Sequence, residues 1–112
     1  MNMKISPIVK VIHPCGALDG FKASELRQKI SNLVEDGADI VLIDFQNVSF
    51  MDSSGLGAIV LSLKTVNAAG SKLVLCSLNG QLKMLFELTS MDRVFQIYDN
   101  QNEFNNLLFL VK

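Results

Sequence analysis

Ile40-Val41-Leu42-Ile43 sets four apolar residues in a row, and this run most narrows what the chain can fold into. A strand with one wet face alternates apolar and polar residues. A continuous run fits a strand covered on both faces, as in the middle of a parallel sheet. Parallel neighbours need crossover connections, usually helices, and the flanking sequence supplies them. Ile8, Val9, Val11 and Ile12 read as an earlier strand that Pro14 and Gly16 end, with Leu18-Asp19-Gly20 as a turn. Leu26, Ile30, Leu33 and Val34 recur at helical spacing behind Asp19, a candidate cap, and Gly37 is a fitting stop. Leu56, Ile59, Val60, Leu63 and Val66 make a second helical stripe ending at Gly70, followed by a buried strand at Leu73-Val74-Leu75-Cys76. Asn79 can cap a third helix carrying Leu82, Leu85 and Phe86; Val94 to Tyr98 alternates as a last strand; Phe104, Leu107, Leu108 and Val111 form a final stripe. The expectation is an α/β chain: one domain over residues 1–112, with a small, mostly parallel mixed sheet and alternating helices packed against it.

Composition matters chiefly for what it excludes. A net charge of −1 with no lysine run argues against direct nucleic-acid binding. The apolar runs fall short of the ~18 residues of a membrane span, so no stable membrane insertion is expected. No signal-peptide pattern opens the chain, and Pro7 with its alternating neighbours looks like strand. Cys15 and Cys76 lie far apart without a CxxC or a histidine cluster, which reads as two reduced, packed thiols. A cytoplasmic protein without a cofactor or metal follows as the expectation. The final helix has Leu107, Leu108, Phe109, Leu110 and Val111 in a row, more apolar surface than one core contact needs, and a homodimer contact is one use for it.

The chemistry concentrates at Phe50-Met51-Asp52-Ser53-Ser54-Gly55-Leu56-Gly57. Here a strand is expected to turn into the second helix, leaving unpaired backbone N–H groups at an exposed corner. Capping explains one of Asp52, Ser53 and Ser54, but three such residues stand together, with no Glu or Gln placed for a capping box. Gly55 and Gly57 each cost roughly 1 kcal/mol against alanine in a helix; glycines there suggest that another molecule or another stretch of backbone comes close. A P-loop would need a lysine and a longer glycine spacing. A serine hydrolase would need a base, and the single histidine, His13, lies at the end of an early strand. Asp44 and Asp52 lack the companions of a metal site. A serine that accepts a phosphoryl group remains. A phosphate adds roughly −1.5 to −2 charges and suits a helix N-terminus, so the fold should survive. Facing a carboxylate about 4 Å away in an interface, it is repelled by roughly 8 kcal/mol before screening, and a quarter of that weakens binding more than tenfold.

These residues resemble the STAS domain of bacterial anti-sigma factor antagonists. Gly16-Ala17-Leu18-Asp19 is similar to the family's G-x-L-D turn, Ile40 to Phe45 to its central strand, and Phe50 to Gly57 to its F-x-D-S-S-G-[LI]-G motif. Leu73-Val74-Leu75-Cys76 and Leu82 to Phe86 are similar to its later strand and helix. Ala17 and Gly20-Phe21 are less polar than the turn the family commonly carries there. The resemblance implies a non-catalytic partner-switching module that regulates transcription. Its partner is an anti-sigma factor that is also an ATP-using serine kinase, bound when the antagonist is unphosphorylated and released by phosphorylation of Ser53. A serine phosphatase reverses the modification. On the same resemblance Asp52 orients the hydroxyl or contacts the kinase, and Ser54, Gly55 and Leu56 line the docking surface. Asp19 either contacts the partner or serves only as a cap. The resemblance also extends to STAS scaffolds and to regulatory subunits of signalling complexes or membrane transporters, the alternative reading.

Overall fold

The computed structural model describes residues 6–111. Four strands form one sheet in the order β1 (Val9–Ile12), β3 (Ile40–Asp44), β5 (Lys72–Cys76), β6 (Gln96–Tyr98), and every pairing in it is parallel. The apolar run is thus central, as its sequence requires: β3 lies between β1 and β5, with Val41 paired to Lys10 and to Leu73. Its alternate residues enter two cores. Val41 and Ile43, with Leu73 and Leu75 of β5, face α1 (Gly20–Glu35), α2 (Ser53–Ala68) and α3 (Gly80–Leu88). Leu42, Val74 and Cys76 face the other way, toward Phe104 of α4 (Gln101–Val111).

The helices bury the stripes their spacing predicts. Ala23, Leu26 and Ile30 of α1 are buried, with Leu33 and Val34 partly so; Leu56, Ile59 and Val66 do the same for α2, and Leu82 and Phe86 for α3. Each fully buried side chain of this size stabilises by roughly 1.5–3 kcal/mol. Ser62, buried within α2, returns its hydroxyl to the Ala58 carbonyl at 2.9 Å. Gly37 and Gly70 follow α1 and α2 with φ of 102° and 78°, the left-handed geometry of a helix stop.

Two strands were not expected. β2 (Cys15–Leu18) and β4 (Asn47–Met51) pair in parallel as a separate two-stranded ribbon. The expected turn at Leu18-Asp19-Gly20 is therefore corrected: Leu18 ends a strand, and α1 follows at once. The strand that runs into the Asp52 corner is β4, which follows the Ile40–Asp44 strand. The ribbon strands are short, β4 buries only Val48 and Met51, and a bulge between Gly16 and Ala17 interrupts the register, so no clean period of two shows in the sequence.

Smaller differences lie at the ends. Pro7 and Ile8 precede β1, where the Ile8 N–H donates to Asp39 at 2.7 Å. The last strand is Gln96–Tyr98, because Met91–Arg93 form a 3-10 turn and Phe95 instead packs edge-on against Phe86 at 5.7 Å. Cys76 is buried, but Cys15 is exposed rather than packed; both thiols are free. In α4, Phe104 is buried while Leu107 is exposed; the side chains of Phe109, Leu110 and Val111 lie outside the described residues.

Candidate functional site

The ribbon places two strand-to-helix corners side by side. Leu18 of β2 and Met51 of β4 are register partners, each the last residue of its strand. Each is followed by an aspartate that caps a helix: Asp19 Oδ1 accepts from the Lys22 N–H at 2.9 Å, and Asp52 Oδ1 from the Gly55 N–H at 2.8 Å. The two helix starts touch, since a β-carbon on Gly20 would lie 3.2 Å from Ser54 Cβ. The Asp52 corner is fixed from both sides. Toward β2, the Asp52 N–H points at the Leu18 carbonyl at 3.4 Å, and Gly55 packs so tightly on that carbonyl that a β-carbon would run into it. The close neighbour of Gly55 is thus backbone of this chain; Gly57 has nothing within 4 Å of its β-carbon position.

Toward α3, the Gln81 side chain accepts from the Met51 N–H at 2.9 Å and donates to the Met51 carbonyl at 2.8 Å. Asn79, besides capping α3 through the Leu82 N–H at 3.0 Å, donates to the Val48 carbonyl at 3.1 Å. These two amides hold β4 in place, and sequence reading missed both roles. Asn79 was legible only as a cap, and a glutamine one residue into a helix start carries no signal of its own.

Ser53 and Ser54 are exposed at the start of α2, and among the described residues neither hydroxyl has a hydrogen-bond partner. Asp52 is half-buried and engaged as the cap. Gly55 and Leu56 are buried, and Leu56 belongs to the core below the corner. They shape the corner from beneath, because the first turn of α2 puts them on its inner face, whereas Ser54 stands on its outer side.

His13 lies elsewhere, just beyond β1. Its Nε2 is 3.4 Å from Asp44 Oδ2 and 3.4 Å from Gln101 Oε1. Asp44, 2% exposed at the end of β3, also accepts from the Gln46 N–H at 3.0 Å. His13 thus faces a buried carboxylate and no hydroxyl of the corner, so the Ser-His-Asp arrangement weighed on the sequence is not assembled. Cys76 lies against the same carboxylate. Burial pushes its thiol pKa up, the Ser77 hydroxyl pulls it down in part, and the Asp44 charge adds to the rise. A buried, protonated thiol is a poor nucleophile. Among the described residues no group of three or more His, Cys, Asp or Glu could hold a metal ion, and no helix is long and apolar enough to cross a membrane. Two surface grooves, of about 580 and 560 Å³, are lined by other residues than Ser53. The corner offers a hydroxyl on an open surface, beside the capping carboxylate of Asp52 and away from His13.

The family model for the STAS domain matches residues 1–104. The chain belongs to the STAS domain family. This STAS chain is 37% identical over 86 residues to the anti-sigma-B factor antagonist of Bacillus subtilis, covering 77% of this chain and 78% of that protein. A crystal structure from Thermotoga maritima superposes with a TM-score of 0.81 at 26% identity, over 89% of this chain and 86% of that one. The Bacillus cell-fate determinant SpoIIAA shares the fold in its phosphorylated form, with a TM-score of 0.68 at 20% identity over 94% of this chain and 96% of that one. The α/β STAS fold expected from the sequence is the fold observed, with the β2–β4 ribbon as the part that presents the motif.

Proposed function

We propose that this STAS protein is an anti-sigma factor antagonist that switches partners through Ser53. Unmodified, it binds an anti-sigma factor that is also an ATP-using serine kinase, and so frees a sigma factor for transcription in the cytoplasm. Ser53 Oγ then attacks the γ-phosphorus of ATP; the new O–P bond replaces the bond to ADP, and the hydroxyl proton goes to a base of the kinase. A serine phosphatase removes the phosphoryl group and resets the switch.

The observation that carries this reading is the division of labour at the corner. Asp52 caps α2, Gly55 makes the close packing, and Leu56 enters the core, whereas Ser53 is exposed and holds nothing. A residue with no structural duty can change charge without cost to the fold, and its place at a helix N-terminus favours the added anion. The relative named an anti-sigma-B factor antagonist supplies the class of partner. Asp19, Asp52 and Ser54 lie around the acceptor and belong to the contact surface. A constitutive scaffold, in a signalling complex or beside a transporter, has no use for an unengaged hydroxyl at this place.

The test is direct. The protein is mixed with ATP and each serine-kinase-type anti-sigma factor of its host, and phosphate is mapped by mass spectrometry. Modification is expected on Ser53 and is lost in Ser53→Ala. Ser53→Asp is expected to melt like the wild type yet lose the partner. Phosphate on another residue, or tight binding by Ser53→Asp, contradicts the switch.

A further inference from the structure

We infer that Phe21 is the apolar anchor of the partner that docks over Ser53, seconded by Phe50, and that its counterpart is an apolar pocket with a basic side chain opposite Asp19. This rests on the switch reading above and adds which residues select the partner.

Phe21 is 76% exposed in the first turn of α1, and Phe50 is 49% exposed on β4. A singly exposed apolar side chain is ordinary, and Leu88 is as open as Phe21; what sets these two rings apart is their place on either side of the acceptor. Both flank the acceptor. The Gly20–Ser54 contact, extended by one Cα–Cα step, puts the Phe21 Cα within about 10 Å of the Ser54 Cα. Phe50 stands three residues before Ser53, within about 11 Å along the chain. The two residues therefore stand on the two neighbouring corners, one on each side of the acceptor's turn.

Charge selects the occupant. Asp19 stands directly beside Phe21's turn, and Asp52 beside Ser53. The nearest cation in sequence, Lys22, has its ammonium group over Gly16, by the groove that β1, β2 and α1 line. The patch thus offers aromatic surface and carboxylates. A second copy of this chain, or an anionic lipid surface, would set like charges against each other. A protein pocket with an apolar floor and a cation facing Asp19 complements it, and a buried aromatic residue is the usual energetic centre of such a contact. A partner seated on Phe21 would lie close to Ser53, where a phosphate would have to give up part of its hydration to be covered.

The experiment is calorimetric titration of the full, unphosphorylated chain with each serine-kinase-type anti-sigma factor of the host, without ATP. Phe21→Ser is expected to bind at least tenfold more weakly than the wild type while melting at the same temperature. Phe50→Ser is expected to lose less. Leu88→Ser, which removes an apolar side chain 79% exposed at the far end of α3, is expected to bind as the wild type does. Asp19→Asn keeps the cap and is expected to flatten the salt dependence of binding. If Phe21→Ser binds at full strength while Ser53→Asp does not, the anchor is wrong and the switch stands. If no factor binds the wild type, the switch fails and the anchor with it. If sedimentation shows a wild-type dimer that Phe21→Ser abolishes, the patch is a self-contact and the inference is overturned.

Discussion

Gly55 rests directly on the carbonyl of Leu18, with no room between them for even a methyl group. This contact fixes the distance between the two corners of the ribbon. Gly55→Ala is expected to destabilise the protein by about 1–3 kcal/mol, the usual cost of overpacking. Gly57→Ala, with open space at its β-carbon position, should instead gain about 0.5–1 kcal/mol from helix propensity. Urea denaturation of the two variants gives both signs. Equal shifts would mean that the Leu18 contact does not constrain the corner.

Asp52 has a structural duty that must be separated from any role toward a kinase. Asp52→Ala should cost about 1 kcal/mol of stability, the value of a lost cap, and Asp52→Asn should keep nearly all of it. Phosphorylation kinetics of the stable Asn variant then report on the carboxylate charge alone. A wild-type rate in Asp52→Asn assigns the residue to capping only.

Gln81 holds Met51, the residue just before the cap, by two hydrogen bonds from one amide. Gln81→Ala is expected to lose about 1–3 kcal/mol, since each net bond is worth roughly 0.5–1.5 kcal/mol. Amide hydrogen exchange should rise at Met51 more than in the central strand β3. Unchanged protection at Met51 would show that β2 alone suffices to hold the corner.

The two thiols should differ sharply. Cys15 is exposed and should react with a thiol reagent at once, while Cys76 waits for unfolding. The Cys76 pKa is raised above its ordinary 9.0, first by burial. The folded state therefore holds this proton more firmly than the unfolded chain does. The stability so gained is whole below about pH 9 and falls as the pH climbs from there toward the raised folded value. Comparing wild type with Cys76→Val across pH 8–11 isolates that slope, because every other alkaline group is common to both. Parallel curves would mean that the folded thiol titrates normally.

The four-stranded sheet and its helices were legible because their residues repeat with the right period and are bounded by strong punctuation. Val41–Ile43 is buried, with Ile40 partly so, Asp19 and Asn79 do cap, and Gly37 and Gly70 do stop their helices. The ribbon was not legible, because β2 is four residues with a bulge and β4 alternates imperfectly; pairing, not local pattern, makes them strands. At the site, the motif marked the corner, but not which of its residues face inward. Leu56 reads as well for a docking surface as for a core until the start of α2 fixes its direction. His13 opposite Asp44 joins residues 31 positions apart, and nothing local announces such a pair.

The amides of Asn79 and Gln81 have one more consequence. A two-stranded ribbon ordinarily exposes a free edge that can template pairing with a foreign strand, a route to aggregation. On β4 the carbonyls of Val48 and Met51 and the Met51 N–H already have side-chain partners from α3. Strand addition at that border would first have to break them. Whatever recognises this protein beside α3 must therefore read side chains and helix ends, and the hydroxyl lies among those.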